Sequence, residues 1–197
     1  MPFPLSENTR EVIQHHFRRK ELIWDESYFV KILKTSESKH DVYWAVLALR
    51  DCGTVDSIPA LKEKLHYSMQ DVKCISILTI AHIAGAEETP FYTEALLSPR
   101  YPEKDYAMWA IRDAADSRAI GAVLAYFKKN RSKLKSGNLS NTTLVHGLEF
   151  LERYWDESDE IQFFFSGVDG FWEKLPESER IEISKRVKFF SGRMNPA

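Results

Sequence analysis

The chain has 197 residues, of which 44% are hydrophobic and 28% charged, and 27 Lys and Arg stand against 29 Asp and Glu for a net charge of −2. That length suits one domain with a substantial core, and the balanced charge excludes the broad basic surface with which a dedicated duplex-DNA binder neutralises phosphates. No apolar run approaches the roughly 18 residues that span a bilayer, and Met1 to Arg10 lacks a basic stretch followed by an apolar core, so neither a membrane anchor nor a signal peptide is expected.

Pro2 and Pro4 mark an extended lead-in. From about Glu7 to Lys20, Val12, Ile13, His16 and Phe17 fall on one helical face. Asp25 is a candidate N-cap for a second helix, whose apolar face is Tyr28, Phe29, Ile32 and Leu33. These two helices (residues 1–38 with their flanks) are expected to cap the open end of the core, since terminal units of an array are atypical.

After a polar loop at Thr35 to Lys39, Asp41 is placed to cap a helix buried through Val42, Ala45, Val46 and Leu49. Gly53 stands where a left-handed C-terminal residue is wanted. Asp56 or Ser57 is expected to cap the partner helix, with Pro59 in its first turn and Ile58, Leu61 and Leu65 facing inward. A shift of 31 residues brings Leu49 onto Ile80, Ile58 onto Thr89, Pro59 onto Pro90 and Leu65 onto Leu96. A second shift of 31 brings them to Ile111, Ile120 and Phe127, with Arg50 and Asp51 landing on Arg112 and Asp113. Self-similarity at such a period marks a stacked array of helix pairs, and residues 39–130 read as three copies.

In the second unit Gly85 is the stop and Pro90 starts the partner helix; Ser98, Pro99 and Pro102 then break the chain before the third. Lys128 to Leu139 is polar and is expected as a solvated loop carrying Lys128, Lys129, Arg131, Lys133 and Lys135. A fourth helix pair is expected within 140–191, through Leu144, Val145, Leu148, Leu151 and Trp155, then Ile161, Phe164, Phe165 and Val168. Gly167 and Gly170 should end the second of these near Ser166. A last helix runs past Ile181, Ile183, Val187 and Phe190 to Gly192, and 193–197 reads as a disordered tail. The fold class is all-α: a short α-α superhelix of about four to five helical pairs with atypical capping helices, in a single domain.

The central stretch resembles the HEAT repeats, especially the bacterial variety also found in phycobilin lyases, through Ala45, Leu49, Gly53, Asp56, Ile58, Pro59, Ala60 and Leu61. Weaker copies lie around Ala84 to Leu96 and Ile111 to Phe127, so the resemblance covers about 87 residues, from Asp41 to Phe127. It implies that the second helix of each pair lines a concave binding face. On that face the outward positions would be Lys62, Glu63 and His66, then Thr93 and Glu94, then Ala125, Lys128 and Lys129.

No catalytic constellation emerges from spacing. The six histidines fall in different units with no Cys-x-x-Cys or His-Glu-x-x-His pattern, so no metal is expected. The eight glycines are scattered, with neither a phosphate-cradling loop nor a Gly-x-Ser-x-Gly elbow, so no cofactor is expected. Asp51 and Asp113 are expected to pair with Arg50 and Arg112. Cys52 and Cys74 read as structural thiols of a reducing cytoplasm.

An acidic run, Glu152, Asp156, Glu157, Asp159 and Glu160, opposes the basic run that holds Arg131, and charge so separated can steer a protein partner. With aromatic residues at 13%, the leading expectation is a non-enzymatic protein-binding module, and the resemblance extends it to an immunity protein that occludes a toxin domain. Two alternatives follow from the same resemblance. One is a HEAT-like DNA glycosylase acting on alkylated bases, for which Trp44, Trp109, Trp155 and Trp172 are available; the other is a lyase-like subunit handling a tetrapyrrole.

Overall fold

The computed structural model describes residues 5–18, 22–139 and 141–193, with the side chain at 141 excepted. The lead-in prolines Pro2 and Pro4, the expected helix end at Lys20 and the tail residues 194–197 lie outside the described residues. Among the described residues every regular element is helical and no strand occurs.

The helices follow local signals closely. Helix α1 (Glu7–Phe17) is capped by Ser6, whose hydroxyl accepts from the Thr9 N–H, and α2 (Glu26–Thr35) by Asp25, which accepts from the Tyr28 N–H at 2.9 Å. Helix α3 (Lys39–Cys52) is capped by Ser38 rather than by Asp41. Asp41 sits one turn in and is buried, with an oxygen 2.8 Å from His16 Nε2, so it ties α3 to α1. Helix α4 (Ile58–Glu63) follows a single 3₁₀ turn capped by Thr54; Ser57 stands at the N-cap position of α4 but makes no side-chain capping bond there. Pro59 and Pro90 occupy the first turns of α4 and α6, where a missing N–H costs nothing.

Helices α5 (Gln70–Ala84), α6 (Thr89–Leu97), α7 (Lys104–Ala114) and α8 (Ile120–Lys129) continue the 31-residue alternation. The expected loop after α8 contains a short helix, α9 (Arg131–Lys135), because Leu134 has an apolar surface to bury. Helix α10 (Asn141–Glu152) stops before Trp155, which lies in a 3₁₀ turn, and α11 (Asp159–Asp169) runs through Gly167 to a cap at Gly170. The last helix, α12 (Glu177–Arg186), ends earlier than its apolar pattern suggests, and Phe190 is carried by a separate 3₁₀ turn at Lys188–Phe190.

These elements stack in two rows. The first helices, α3, α5, α7 and α10, pack side by side in order, with α1 against α3 at one end and α12 against α10 at the other. The second helices, α2, α4, α6 and α8, lie behind them, and each of α2, α4 and α6 packs on the first-row helix that follows it. Close approach within the first row is permitted by small buried residues: Ala45 and Ala48 on α3, Ala81 on α5, Ala107 and Ala110 on α7. One continuous apolar core runs from Ile13 to Phe190. Within it Thr79 on α5 donates to the Val46 carbonyl on α3, and the ring of Phe190 stacks on Trp172 at 4.8 Å to close the far end.

Three glycines have different reasons to be there. Gly53 is not left-handed, with φ at −77°; it is small because a Cβ would fall 2.4 Å from the Leu49 carbonyl oxygen. Gly85 does take a positive φ, 54°, and stops α5. Gly147, in the middle of α10, lies against the buried Phe127 ring of α8, and a Cβ there would meet its Cζ at 2.4 Å. The ring is held from its other side by stacking on Phe164. Gly147→Ala therefore gains helix propensity of about 1 kcal/mol but forces overpacking that costs about 1–3 kcal/mol. The expected outcome by chemical denaturation is a net loss of up to about 2 kcal/mol.

Glu179 on α12 is buried and its Oε2 meets no hydrogen-bond donor among the described residues. Burial pushes its carboxyl up to about 7, whereas in the unfolded chain it titrates near about 4.3. The folded form keeps its proton longer, so this group's contribution is full below about pH 4 and is lost as pH rises to about 7. Glu179→Gln should flatten that slope, raising the thermal midpoint at pH 8 and leaving it little changed at pH 4.5. An unchanged slope in the variant contradicts the assignment.

Candidate binding cavity

The 31-residue register delivers the C-terminal ends of the first-row helices to one edge of the array. At that edge α7 ends in Arg112 and Asp113, α10 presents His146, Glu149 and Glu152 at three-residue spacing, and α12 brings Arg186 in its last turn. Three-residue spacing keeps side chains on one helical face. Arg112, Glu149, Glu152 and Arg186, together with Arg153, Trp155, Lys188 and Phe189, line a concavity of about 670 Å³, a size suited to a small ligand or a few side chains of a partner.

Glu149 is the hub. Arg186 grips it as a fork, Nε donating to Oε1 at 2.9 Å and Nη2 to Oε2 at 2.6 Å. Arg112 approaches from the other side, Nη1 donating to Oε2 at 3.4 Å. The same nitrogen lies 2.7 Å from His146 Nδ1. A guanidinium has only donors, so Nδ1 is the acceptor and the neutral ring carries its proton on Nε2. The 3.5 Å approach of Nδ1 to Glu149 is then a polar contact without a shared proton. Burial alone raises the Glu149 carboxyl, but hydrogen bonding by its neighbours and the charges of Arg186 and Arg112 outweigh it and hold it below the usual range. A carboxylate held ionised between two arginines is a poor proton acceptor, so the cluster is built to hold shape and charge.

Further contacts hold the walls and the residues behind them. Glu152 accepts the backbone N–H groups of Lys188 and Phe189 at 3.0 and 2.8 Å, which pins the last 3₁₀ turn across the end of α10. Trp109, 37% exposed, stacks on His146 at 5.5 Å and donates its Nε1–H to Asp113 at 2.8 Å. Trp155 and Phe189 lie against each other at 5.3 Å, and Phe189 is 42% exposed.

None of the residues expected on a second-helix binding face lines this cavity. Lys62 pairs with Glu88 at 2.8 Å, lies over the Phe91 ring and borders a smaller concavity of about 330 Å³. Glu63, His66, Glu94, Ala125, Lys128, Lys129 and Arg131 are exposed along the second row and the α9 segment, and none of them lines the larger cavity. Asp156 and Glu157 are exposed in the turn that begins at Trp155 and do not line that cavity. Of the expected repeat pairs, Arg112 does bond Asp113, at 2.6 Å, while Asp51 is bonded instead by Arg10 of α1.

Glu149, Arg186, Lys188 and Phe189 escaped the sequence reading. The available signal was the face His146, Glu149 and Glu152 on an otherwise apolar helix; nothing local announced that α12 folds back onto it. Among the described residues no group of three His, Cys, Asp or Glu is placed to hold a metal ion. Both cysteines are free thiols, and burial pushes Cys52 up to about 11 and Cys74 to about 12, so neither is an activated thiolate near neutral pH.

The fork predicts strong coupling between α10 and α12. In a double-mutant cycle of Glu149→Gln and Arg186→Gln, the expected interaction energy is about 1–3 kcal/mol at pH 7. Because the folded carboxyl titrates below its unfolded value, that coupling is present above about pH 4.3 and fades as acid protonates the folded form. Coupling near zero at pH 7 contradicts the geometry.

No family model, curated protein or solved structure matches the chain.

Proposed function

We propose that the chain is a non-enzymatic protein-binding module built as a short HEAT-like solenoid. The observation that carries this reading is the composition of the first-row cavity, where Trp155 and the part-exposed Phe189 lie among Arg112, Arg153 and Arg186. Trp and Arg in a concavity are the residues on which interface energy concentrates. The framework around them is held in place beforehand by Glu149 and Glu152, which lowers the cost of ordering side chains on binding.

Within this class we favour an immunity-type protein that neutralises a toxin domain, a reading supported by the small helical build. Its setting would be the cytoplasm, in keeping with two unpaired thiols. No helix among the described residues is long and apolar enough to cross a membrane. The glycosylase alternative asks for a continuous cationic track for a phosphate backbone; the exposed Asp156, Glu157, Asp159 and Glu160 beside the cavity disfavour it.

The test is an affinity pull-down from native lysate at moderate salt, with mass spectrometry of what is retained. One stoichiometric protein partner is the expected outcome. Recovery of nucleic acid alone, lost as salt rises, would overturn the reading in favour of the glycosylase alternative.

A further inference from the structure

Four cations and two carboxylates line the first-row cavity, and the hydrogen bonds divide them unequally. Glu149 is engaged on both oxygens by Arg186 and Arg112. Glu152 turns both of its oxygens to backbone N–H groups. Arg112 also holds Asp113. Neither Arg153 nor Lys188 forms an ion pair among the described residues.

The two unpaired cations differ in how they are held. One Nη2 donor of Arg153 is given to the Arg112 carbonyl at the end of α7, and its guanidinium lies over the Phe150 ring at 5.2 Å. Those contacts fix its position without neutralising its charge, and its remaining donors stay open. Lys188 is exposed, and its backbone is pinned by Glu152. A positioned guanidinium with free donors is suited to a carboxylate, which it can meet with two parallel hydrogen bonds. Beside these cations Trp155 and Phe189 supply an apolar wall.

The surroundings limit what kind of anion can enter. Asp156, Glu157, Asp159 and Glu160 are all exposed immediately after Trp155. A polyanion long enough to run on past Trp155 meets these four charges, whereas a single carboxylate seated between Arg153 and Lys188 does not extend to them. We propose that this cavity is the docking site for an acidic side chain of a partner protein, its carboxylate held between Arg153 and Lys188 and a neighbouring apolar residue seated on Trp155 and Phe189. The assignment rests on the protein-binding reading and names its site and the chemistry of its partner.

The experiment is a ¹⁵N–¹H titration of the whole chain with four probes: an acetyl-Gly-Glu-Phe-Glu-Gly-amide peptide, its Gln counterpart, an eight-residue oligothymidylate and inorganic phosphate. The acidic peptide should give saturable shifts at the Trp155 indole and the Lys188 and Phe189 amides, at least tenfold tighter than the Gln peptide. Lys188→Glu, which breaks no side-chain contact, should weaken that binding at least tenfold with an otherwise unchanged spectrum; Arg153→Gln should do the same. Tighter binding of oligothymidylate would overturn the assignment in favour of a phosphate backbone. Equal response to inorganic phosphate would reduce the cavity to a general anion site, and no shift at these residues would remove it. If wild type and Lys188→Glu retain the same partner in the pull-down, this site falls while the protein-binding reading stands. If wild type retains no protein, that reading falls instead.

Discussion

Close packing along the first row of helices is the constraint on which the rest of the molecule depends. A row of parallel cylinders can pack tightly only where the side chains between them are small, and Ala45, Ala48, Ala81, Ala107 and Ala110 supply that at successive repeats. In the fourth unit Gly147 makes the matching allowance between the rows, where even a methyl group would strike Phe127 of α8. The larger residues then have somewhere to go. Phe29, Leu49, Leu61, Ile77, Tyr92 and Phe127 fill the layer between the rows, each fully buried apolar side chain contributing about 1.5–3 kcal/mol before the entropy of ordering the chain is set against it.

The same packing creates the polar edge. Helices drawn together side by side bring their C-terminal ends into register, and the charged residues there must find partners or stay in water. At the α1 end Asp51, near the C-terminus of α3, pairs with Arg10. At the α12 end the last turn folds back, so Arg112, Glu149 and Arg186 form one network and a cavity remains beside it. Two carboxylates serve the structure there. The cations they leave over face solvent, and on that imbalance the functional reading turns.

Much of the fold was legible because the signals were local or periodic. The 31-residue shift, Pro59 and Pro90 at helix starts and the cap at Asp25 all act within a few residues of themselves. The misses share a different origin. Asp41 lost its capping role to Ser38 because a distant partner, His16, took its carboxylate. Gly53 looked like a left-handed stop, yet its smallness serves a close approach rather than a special dihedral. Lys128 to Leu139 read as a solvated loop, and the apolar Leu134 within it was enough to seat a turn of helix. The site suffered most, since Glu149 and Arg186 are 37 residues apart and no periodicity links them. A second-row face was expected by resemblance; the cavity at the first-row edge was not, because its walls come from elements that one-dimensional spacing does not link.

The claim that matters most is that partners are engaged on the first-row edge near Arg112 and Arg186. Hydrogen–deuterium exchange of the chain, alone and bound to whatever protein it captures, addresses this most directly. The account predicts new protection across Glu149 to Trp155 and Arg186 to Phe189, with Lys62 to His66 and Thr93 to Glu94 unchanged. Protection confined to those second-row segments, with the cavity walls exchanging as before, would contradict it.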